Sequence, residues 1–269
     1  MQEPFSNTTQ RMNFKLAIII PCYNEFERLN TETYTHFITE HEDVLLCFVN
    51  DGSNDSTIQV LNEFKERFPN QVFVIDCAKN QGKSEAVRIG FTTCLSTFKL
   101  EKLAYLDADL STSLEECVSI SQQISTKVCF AFGSRILTLD SDIRRKPYRF
   151  LIGRIIATLI SKQLKLNVYD TQCGCKVFDE SLAKDIFKKE FISRWLFDVE
   201  IFHRLINIHG RNQLKDIARE IPLKSWIDTD DSKVPFSYFF KLWYDLYVIG
   251  KTYKTPLKTK NIENEKLLK

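Results

Sequence analysis

The sequence predicts an α/β fold, a mostly parallel sheet flanked by helices with a helical elaboration towards the C-terminal end. Three observations carry that prediction. Five short apolar runs recur through the first half with little polar alternation, as strands covered on both faces require. Helix-length stretches separate them at intervals of about thirty residues, the rhythm of βαβ units. After Arg135 that rhythm stops, and longer apolar and aromatic stretches replace it.

The expected strands are Leu16–Ile20, Val44–Val49, Val72–Ile75, Leu103–Leu106 and Val128–Phe132. Between the second and third, Ser56–Phe68 places Val60, Leu61, Phe64 and Phe68 at helical spacing. Ser84–Phe98 is the next helix, and Ser113 or Thr112 caps a third that runs to about Ser125. Past Arg135, Ile143–Arg149 is basic, and Phe150–Leu166 reads as an apolar helix interrupted by Arg154 and Lys162. A short segment Asp170–Phe178, a helix around Arg194–Ile208 and an aromatic stretch from Phe236 to Tyr247 follow. No linker divides the halves. The expectation is one domain over 14–250, made of a first half 14–135 and a second half 136–250, after a disordered tail 1–13 and before a flexible basic tail 251–269.

The 269 residues suffice for a substantial core, and 43% hydrophobic with 27% charged residues is ordinary for a globular protein. A formal charge of +2 gives no support to a nucleic-acid binder. The eight cysteines include no C-x-x-C pair, and several lie inside apolar runs, so reduced buried thiols are expected rather than disulfides or zinc. Met1 to Asn13 is polar and has no signal-peptide core, and the longest apolar stretch, Phe150 to Ile160, falls short of the ~20 residues a spanning helix needs. His36, His41, His203 and His209 show no metal spacing, and Trp195, Trp226 and Trp243 are expected as core anchors.

Chemistry concentrates where the strands end. Leu103–Leu106 runs straight into Asp107-Ala108-Asp109. Alternate positions of extended chain point the same way, so both carboxylates can aim at one spot. Such a pair suits a hard divalent cation that also keeps waters and a diphosphate, although solvated turns and helix caps use the same spacing. The other strands end in Pro21-Cys22-Tyr23-Asn24-Glu25, Asn50-Asp51-Gly52-Ser53-Asn54-Asp55, Asn80-Gln81-Gly82-Lys83-Ser84 and Gly133-Ser134-Arg135. In a parallel sheet these ends share one edge, where open α/β proteins bind ligands. Asp51-Gly52-Ser53 also fits a plain turn with a cap at Asn54 or Ser56. Residues 80–84 lack the spacing of a phosphate loop, and no G-x-G-x-x-G follows the first strand, which disfavours a dinucleotide fold. Lys83 is either a positive charge near the site or a solvated lysine at a helix start.

Taken in order, Pro21-Cys22-Tyr23-Asn24-Glu25, Asn50-Asp51-Gly52-Ser53, Gly82-Lys83 and Asp107-Ala108-Asp109 resemble the nucleotide-sugar half of inverting GT-A glycosyltransferases of family 2. Asp170-Thr171-Gln172-Cys173-Gly174-Cys175-Lys176, Arg194-Trp195-Leu196-Phe197-Asp198-Val199-Glu200, and Glu220-Ile221-Pro222 with Trp226 and Ser232-Lys233-Val234 resemble its dolichyl-phosphate β-glucosyltransferase branch and bacterial polyprenyl-phosphate relatives. The resemblance implies a GT-A fold over roughly residues 14–250. It implies that Pro21, Tyr23, Glu25 and Asp51 hold the nucleoside, with Lys83 and Asp107 completing the donor site. It implies that Asp107 and Asp109 handle Mg²⁺ or Mn²⁺ and the diphosphate. UDP-glucose is the donor and a polyprenyl phosphate the acceptor that it suggests. Three positions depart from the family pattern: Asn50 stands where aspartate is common, Cys175 where an aromatic is usual, and Ser113 where proline is frequent.

Breaking the sugar–diphosphate bond builds negative charge on the leaving group, which a cation at Asp109 and Asp107 neutralises as it develops. A lipid phosphate is already anionic and needs cations to hold it. Arg135, Arg144, Arg145, Lys146 and Arg149 supply such a cluster unless they form a solvated loop, and Gln172 and Arg194 are expected on the same acceptor side. A sugar hydroxyl would need a base instead, for which Asp198 is the candidate, its alternative being an ion pair with Arg194 one helical turn away. Phe150–Leu166 fits either an interfacial helix or a core helix. The expectation is therefore a cytoplasmic glycosyltransferase that meets the membrane peripherally. Transfer to a saccharide or other soluble hydroxyl, and sugar-nucleotide binding without turnover, are the alternatives.

Overall fold

A computed structural model of the protein describes residues 12–144, 147–227 and 238–254. In chain order the elements are β1 (Asn13–Cys22), α1 (Thr31–Glu40), β2 (Val44–Asn50), α2 (Thr57–Arg67), β3 (Val72–Asp76), α3 (Lys83–Thr97), β4 (Lys99–Leu106), α4 (Leu114–Ser121) and β5 (Phe130–Ser134). The second half contributes β6 (Asp142–Arg144), α5 (Pro147–Leu164), β7 (Cys175–Asp179), α6 (Glu180–Ile186), α7 (Phe197–His209), α8 (Arg211–Ile217), β8 (Ala218–Pro222), β9 (Ser225–Ile227) and α9 (Tyr238–Thr252).

Each of the five expected strands lies within or overlaps an observed one. Their uninterrupted apolar character has the anticipated cause, since β2 is buried at every position between layers of helices. The sheet has seven strands in the order β3-β2-β1-β4-β7-β5-β8. β1 pairs in parallel with β2 and β4, β2 with β3, and β5 with β8, whereas β7 runs antiparallel to both β4 and β5. The carboxyl ends of β1 to β5 therefore share one edge, and β7 begins at that edge, where Cys175 pairs with Leu106. A separate two-stranded parallel ladder joins β6 to β9.

Two apolar layers sandwich the sheet. One gathers α3, α6 and α7 through Phe91, Phe178, Phe187, Phe197 and Phe202, with Phe91 and Phe187 stacked at 3.7 Å between ring centroids. The other gathers α1, α2 and α4 through Tyr34, Phe37, Phe48, Leu61 and Phe64. All eight cysteines are free thiols, most of them buried in these layers, as expected. Ser113 rather than Thr112 caps α4, its hydroxyl accepting the Glu116 N–H at 3.1 Å. No helix among the described residues is long and apolar enough to cross a membrane.

Several expectations are corrected. Asn13, assigned to the N-terminal tail, opens β1, where it pairs with Lys99. α7 begins at Phe197 rather than Arg194, because the Ser193 hydroxyl accepts the N–H groups of Trp195 and Leu196 and turns the chain first. Trp195 and Trp243 are 38% and 50% exposed and anchor no core. Residues 1–11 and 255–269, which cover most of the two expected tails, lie outside the described residues, as do Arg145, Lys146, Phe236 and Ser232-Lys233-Val234.

The packing of α5, α7 and α9 sets up a pH dependence. Gln163 donates its amide N–H groups to the Leu246 carbonyl at 3.1 Å and to Nε2 of His203 at 3.2 Å, so that imidazole nitrogen acts as an acceptor. Burial, helped by the Arg211 charge, pushes the His203 pKa down to about 4. The unfolded chain then binds a proton below its ordinary value of about 6.5 that the folded chain refuses, so stability falls as pH drops from there towards about 4. This site is expected to cost about 2 kcal/mol between about pH 7 and pH 5, with a flatter dependence in His203→Gln, measured by urea unfolding.

Candidate active site

The loops at the carboxyl edge are tied to one another. The Asn24 N–H donates to Ser53 Oγ at 3.0 Å, Glu25 N–H to Thr57 Oγ1 at 2.9 Å, and Asn54 N–H to Asn24 Oδ1 at 2.9 Å. Asn24 accepts a left-handed φ of 51°, which asparagine tolerates better than most residues. The buried Asp51 links this pair of loops to the next: its carboxylate accepts the N–H groups of Gln81 and Gly82, both at 2.8 Å. Burial raises the Asp51 pKa, and those two amides oppose the rise. Asn50 donates to the Asp76 carboxylate at 2.7 Å while its own oxygen accepts the Ser53 hydroxyl at 2.5 Å. The amide thus bridges to Asp76, where an aspartate would have set two carboxylates against each other. Pro21 lies opposite Val49 in the β1–β2 ladder, and Glu25 accepts Arg28 at 2.6 Å, so Pro21, Tyr23, Glu25 and Asp51 occupy adjoining loops.

Next along the edge stands the carboxylate pair. Tyr34 on α1 donates to the Ala108 carbonyl at 3.2 Å, and Asp109 accepts the Ser111 N–H at 2.9 Å, which together fix the turn. Lys83, at the start of α3, meets Asp107 at 2.5 Å and lies 5.9 Å from the ring centroids of both Tyr105 and Phe197. Burial opposes the Lys83 charge, yet Asp107, Asp198 and Asp109 together lift its pKa above the usual lysine value. The Asp107 side chain retains 36% exposure at the mouth of the site. Its enclosure, with Asp109 and Asp198 nearby, still raises its pKa, against the pull of Lys83.

Two carboxylates beside an open mouth suit Mg²⁺ or Mn²⁺. Such ions are commonly held by one or two protein carboxylates, with substrate phosphates and water completing the shell. No cluster of three or more acidic, histidine or cysteine side chains able to hold an ion occurs among the described residues.

The loop entering β7 closes over Asp107. A side chain at Gly174 would collide with the Asp107 carboxylate, so glycine permits the close approach. Gly174→Ala is therefore expected to displace Asp107 and lower kcat on the order of 10²-fold, while thermal unfolding stays near the parent value. Paired turnover and melting measurements check it.

The remaining predicted residues divide. Asp198 is almost wholly buried and accepts Nζ of the fully buried Lys176 at 2.5 Å and the Tyr105 hydroxyl. It is thus fixed by Lys176 and Tyr105 rather than by Arg194, which corrects the expected ion pair. Arg194 is placed on the other side: its side chain packs along Gly82 and its carbonyl accepts the Ser84 N–H at 3.3 Å. It accordingly neighbours Asp51, whose carboxyl it helps keep ionised, rather than Arg135.

Arg135 grips Asp170 with two bonds of 2.6 and 2.8 Å and lies over Trp226 at 5.2 Å. Burial opposes its charge, but Asp170 holds the guanidinium firmly protonated. Arg144 is paired with Asp142 on the surface at 2.8 Å, so the basic cluster is partly neutralised. Arg149 lies on α5 with its side chain outside the described part. Between the Arg135–Asp170 clamp and Gly174, the Thr171 hydroxyl and the Gln172 side-chain nitrogen are buried without a hydrogen-bond partner.

Sequence reasoning gave no role to Lys176, Tyr105 or Glu220. Glu220 accepts the Ser134 hydroxyl at 2.7 Å and the N–H groups of Tyr169 and Asp170 at 3.0 and 2.8 Å, which seats the clamp. Lys176 carried a usable signal, since a lone lysine inside the apolar run Cys175-Lys176-Val177-Phe178 implies a buried partner.

Residues 17–187 match the family described as glycosyl transferase family 2. A dolichyl-phosphate beta-glucosyltransferase of Trichomonas vaginalis is 27% identical over 270 residues, covering 95% of this chain and 77% of that protein. The dolichyl-phosphate beta-glucosyltransferase of Saccharomyces cerevisiae is 30% identical over 260 residues, covering 88% and 75%. Glucosyl-3-phosphoglycerate synthase from Mycobacterium tuberculosis, solved with Mn²⁺, uridine diphosphate and phosphoglyceric acid, superimposes with a TM-score of 0.62 at 12% identity over 91% of this chain and 78% of that one. That last likeness is one of fold, and the sheet and its flanking helices have the GT-A architecture.

Proposed function

The chain belongs to glycosyl transferase family 2, and from that premise we propose that it transfers glucose, with inversion, from UDP-glucose to a polyprenyl phosphate of the dolichyl type. It is a glycosyltransferase; the donor, acceptor and metal are the proposed part.

The observation that carries the acceptor reading is the state of Asp198. A hydroxyl acceptor needs a base to remove its proton, and the carboxylate best placed by sequence is held by Lys176 and Tyr105 deep in the protein. A phosphate monoester brings its own negative oxygen and attacks without one. The likeness to dolichyl-phosphate beta-glucosyltransferases along most of the chain supports the same choice.

Each loop then has a task. The tied β1 and β2 loops, with Asp51, form a preorganised seat for the nucleoside near Pro21, Tyr23 and Glu25. Asp107 and Asp109 would hold Mg²⁺ or Mn²⁺, which when bound supplies positive charge to the departing diphosphate. Lys83 offsets the two carboxylates and adds a fixed positive charge at the same place. On the acceptor side, Thr171 and Gln172 offer buried donors that a phosphate oxygen satisfies, and Arg135 keeps the loop that carries them in position.

The test is turnover by purified full-length chain given UDP-glucose, Mg²⁺ or Mn²⁺ and a short-chain polyprenyl phosphate. Release of UDP with formation of a glucosyl lipid, suppressed by a chelator, is the expected result. Release with a saccharide but with no lipid phosphate would overturn the acceptor assignment. Metal-dependent donor binding without turnover on any acceptor would favour a binding role.

A further inference from the structure

α5 and α9 meet at Gln163, and each also carries exposed apolar or aromatic side chains. Gln163 joins them through the Leu246 carbonyl, and Gly250 lies against the same amide. Ile160, Leu164, Leu246 and Ile249 turn inwards and are buried. Outwards, Leu151 and Ile155 stand four residues apart on α5 at 63% and 53% exposure. Trp243, Tyr244 and Tyr247 on α9 are 50%, 67% and 64% exposed. Trp243 and Tyr247 each lie one helical turn from Leu246 or Gly250, so they border the seam with α5.

The charges on these helices have one sign. Residues 147–169 contain no aspartate or glutamate, and residues 238–254 contain only Asp245, which is buried and accepts the Ser193 hydroxyl at 2.7 Å. Lys162, Lys241, Lys251 and Lys254 are exposed. Aliphatic side chains, amphipathic aromatic rings and flexible lysines together match the boundary between lipid headgroups and acyl chains. A second copy fits worse, because an isologous contact would set lysines against lysines.

Both helices are also anchored beside the site. Arg154 of α5 donates to the Tyr169 carbonyl at 3.0 Å, next to the Asp170 clamp. Asp245 of α9 holds Ser193, next to Arg194 on Gly82.

We propose that the outer face of the α5–α9 pair docks the protein on an anionic lipid surface, bringing the acceptor side of the site to a bilayer-borne phosphate. Its purpose rests on the lipid-phosphate reading, but its test does not.

Full-length chain is sedimented with vesicles of phosphatidylcholine alone or with phosphatidylserine, free of polyprenyl phosphate. Preferential binding to the anionic vesicles, weakened by salt, is expected. Trp243→Ser with Tyr247→Ser, and separately Lys241→Glu with Lys251→Glu, should each lower the partition coefficient about tenfold or more. Turnover on a water-soluble acceptor analogue should be unchanged in both, which marks them as folded. Parent protein that stays in the supernatant at low salt, or variants that sediment like the parent, would overturn the proposal. So would variants that convert a dimer to a monomer in analytical ultracentrifugation without changing vesicle binding. Vesicle binding alongside failed transfer would leave docking standing and sink the acceptor reading instead.

Discussion

Asp109→Ala is expected to lower metal-dependent turnover by about a thousandfold or more while the protein stays folded. Truncation gives up the bond from the Ser111 N–H, but Tyr34 on the Ala108 carbonyl and the Ser113 cap of α4 still hold the turn on either side. What is lost is negative charge at the place where, on the proposed function, a cation would meet the diphosphate. Asp107 cannot replace it, since it is already shared with Lys83 at 2.5 Å and covered by Gly174. Three measurements are needed together: kcat against Mn²⁺ concentration, donor affinity with and without metal, and the melting temperature. Full activity in the folded variant would remove Asp109 from the site. A large loss of melting temperature would instead make its role structural.

Lys176→Ala is expected to be among the most damaging changes to stability, at about 3–5 kcal/mol. Lys176 is fully buried, and its ammonium group is shared between Asp198 at 2.5 Å and the Cys173 carbonyl at 2.7 Å. Truncation leaves a buried carboxylate whose remaining hydrogen bond is from the Tyr105 hydroxyl. For a domain of this size the loss corresponds to roughly 6–20 °C in melting temperature. The paired replacement Lys176→Met with Asp198→Leu should recover a large part, because it removes both charges and fills the space. If the single and double variants melt alike, the pair does not act as a unit. Calorimetry on the three proteins decides between these outcomes.

The first half was legible because its strands are buried on both faces, which suppresses alternation and leaves runs such as Val44–Val49 unmistakable. Helix α1 was missed although Tyr34, Phe37 and Ile38 have helical spacing, since threonine, glutamate and histidine dilute the apolar stripe. The direction of β7 was not readable at all, because pairing partners distant in sequence decide it. The strand ends alone placed Asp107 and Asp109 at the carboxyl edge, and the fold resolves the open reading of Lys83 by pairing it with Asp107. The Arg194 ion pair, the alternative offered for Asp198, does not form because α7 starts three residues later, after a turn held by Ser193 that depends on tertiary contact with Asp245. Arg194 was expected on the acceptor side, and only the folded chain shows it lying along Gly82.

The reversed strand β7 has a consequence for how such an enzyme can change. Because it enters the sheet beside β4 with its first residue at the working edge, a segment from the second half of the chain confronts Asp107 directly. Asp170, held by Arg135, and Gly174, set against Asp107, are two fixed posts, and residues 171–173 are the stretch between them whose sequence can vary. Exchanging this three-residue stretch is therefore a compact way to alter what the second half of the chain presents beside Asp107, with the loops of Pro21–Glu25 and Asp51 left untouched.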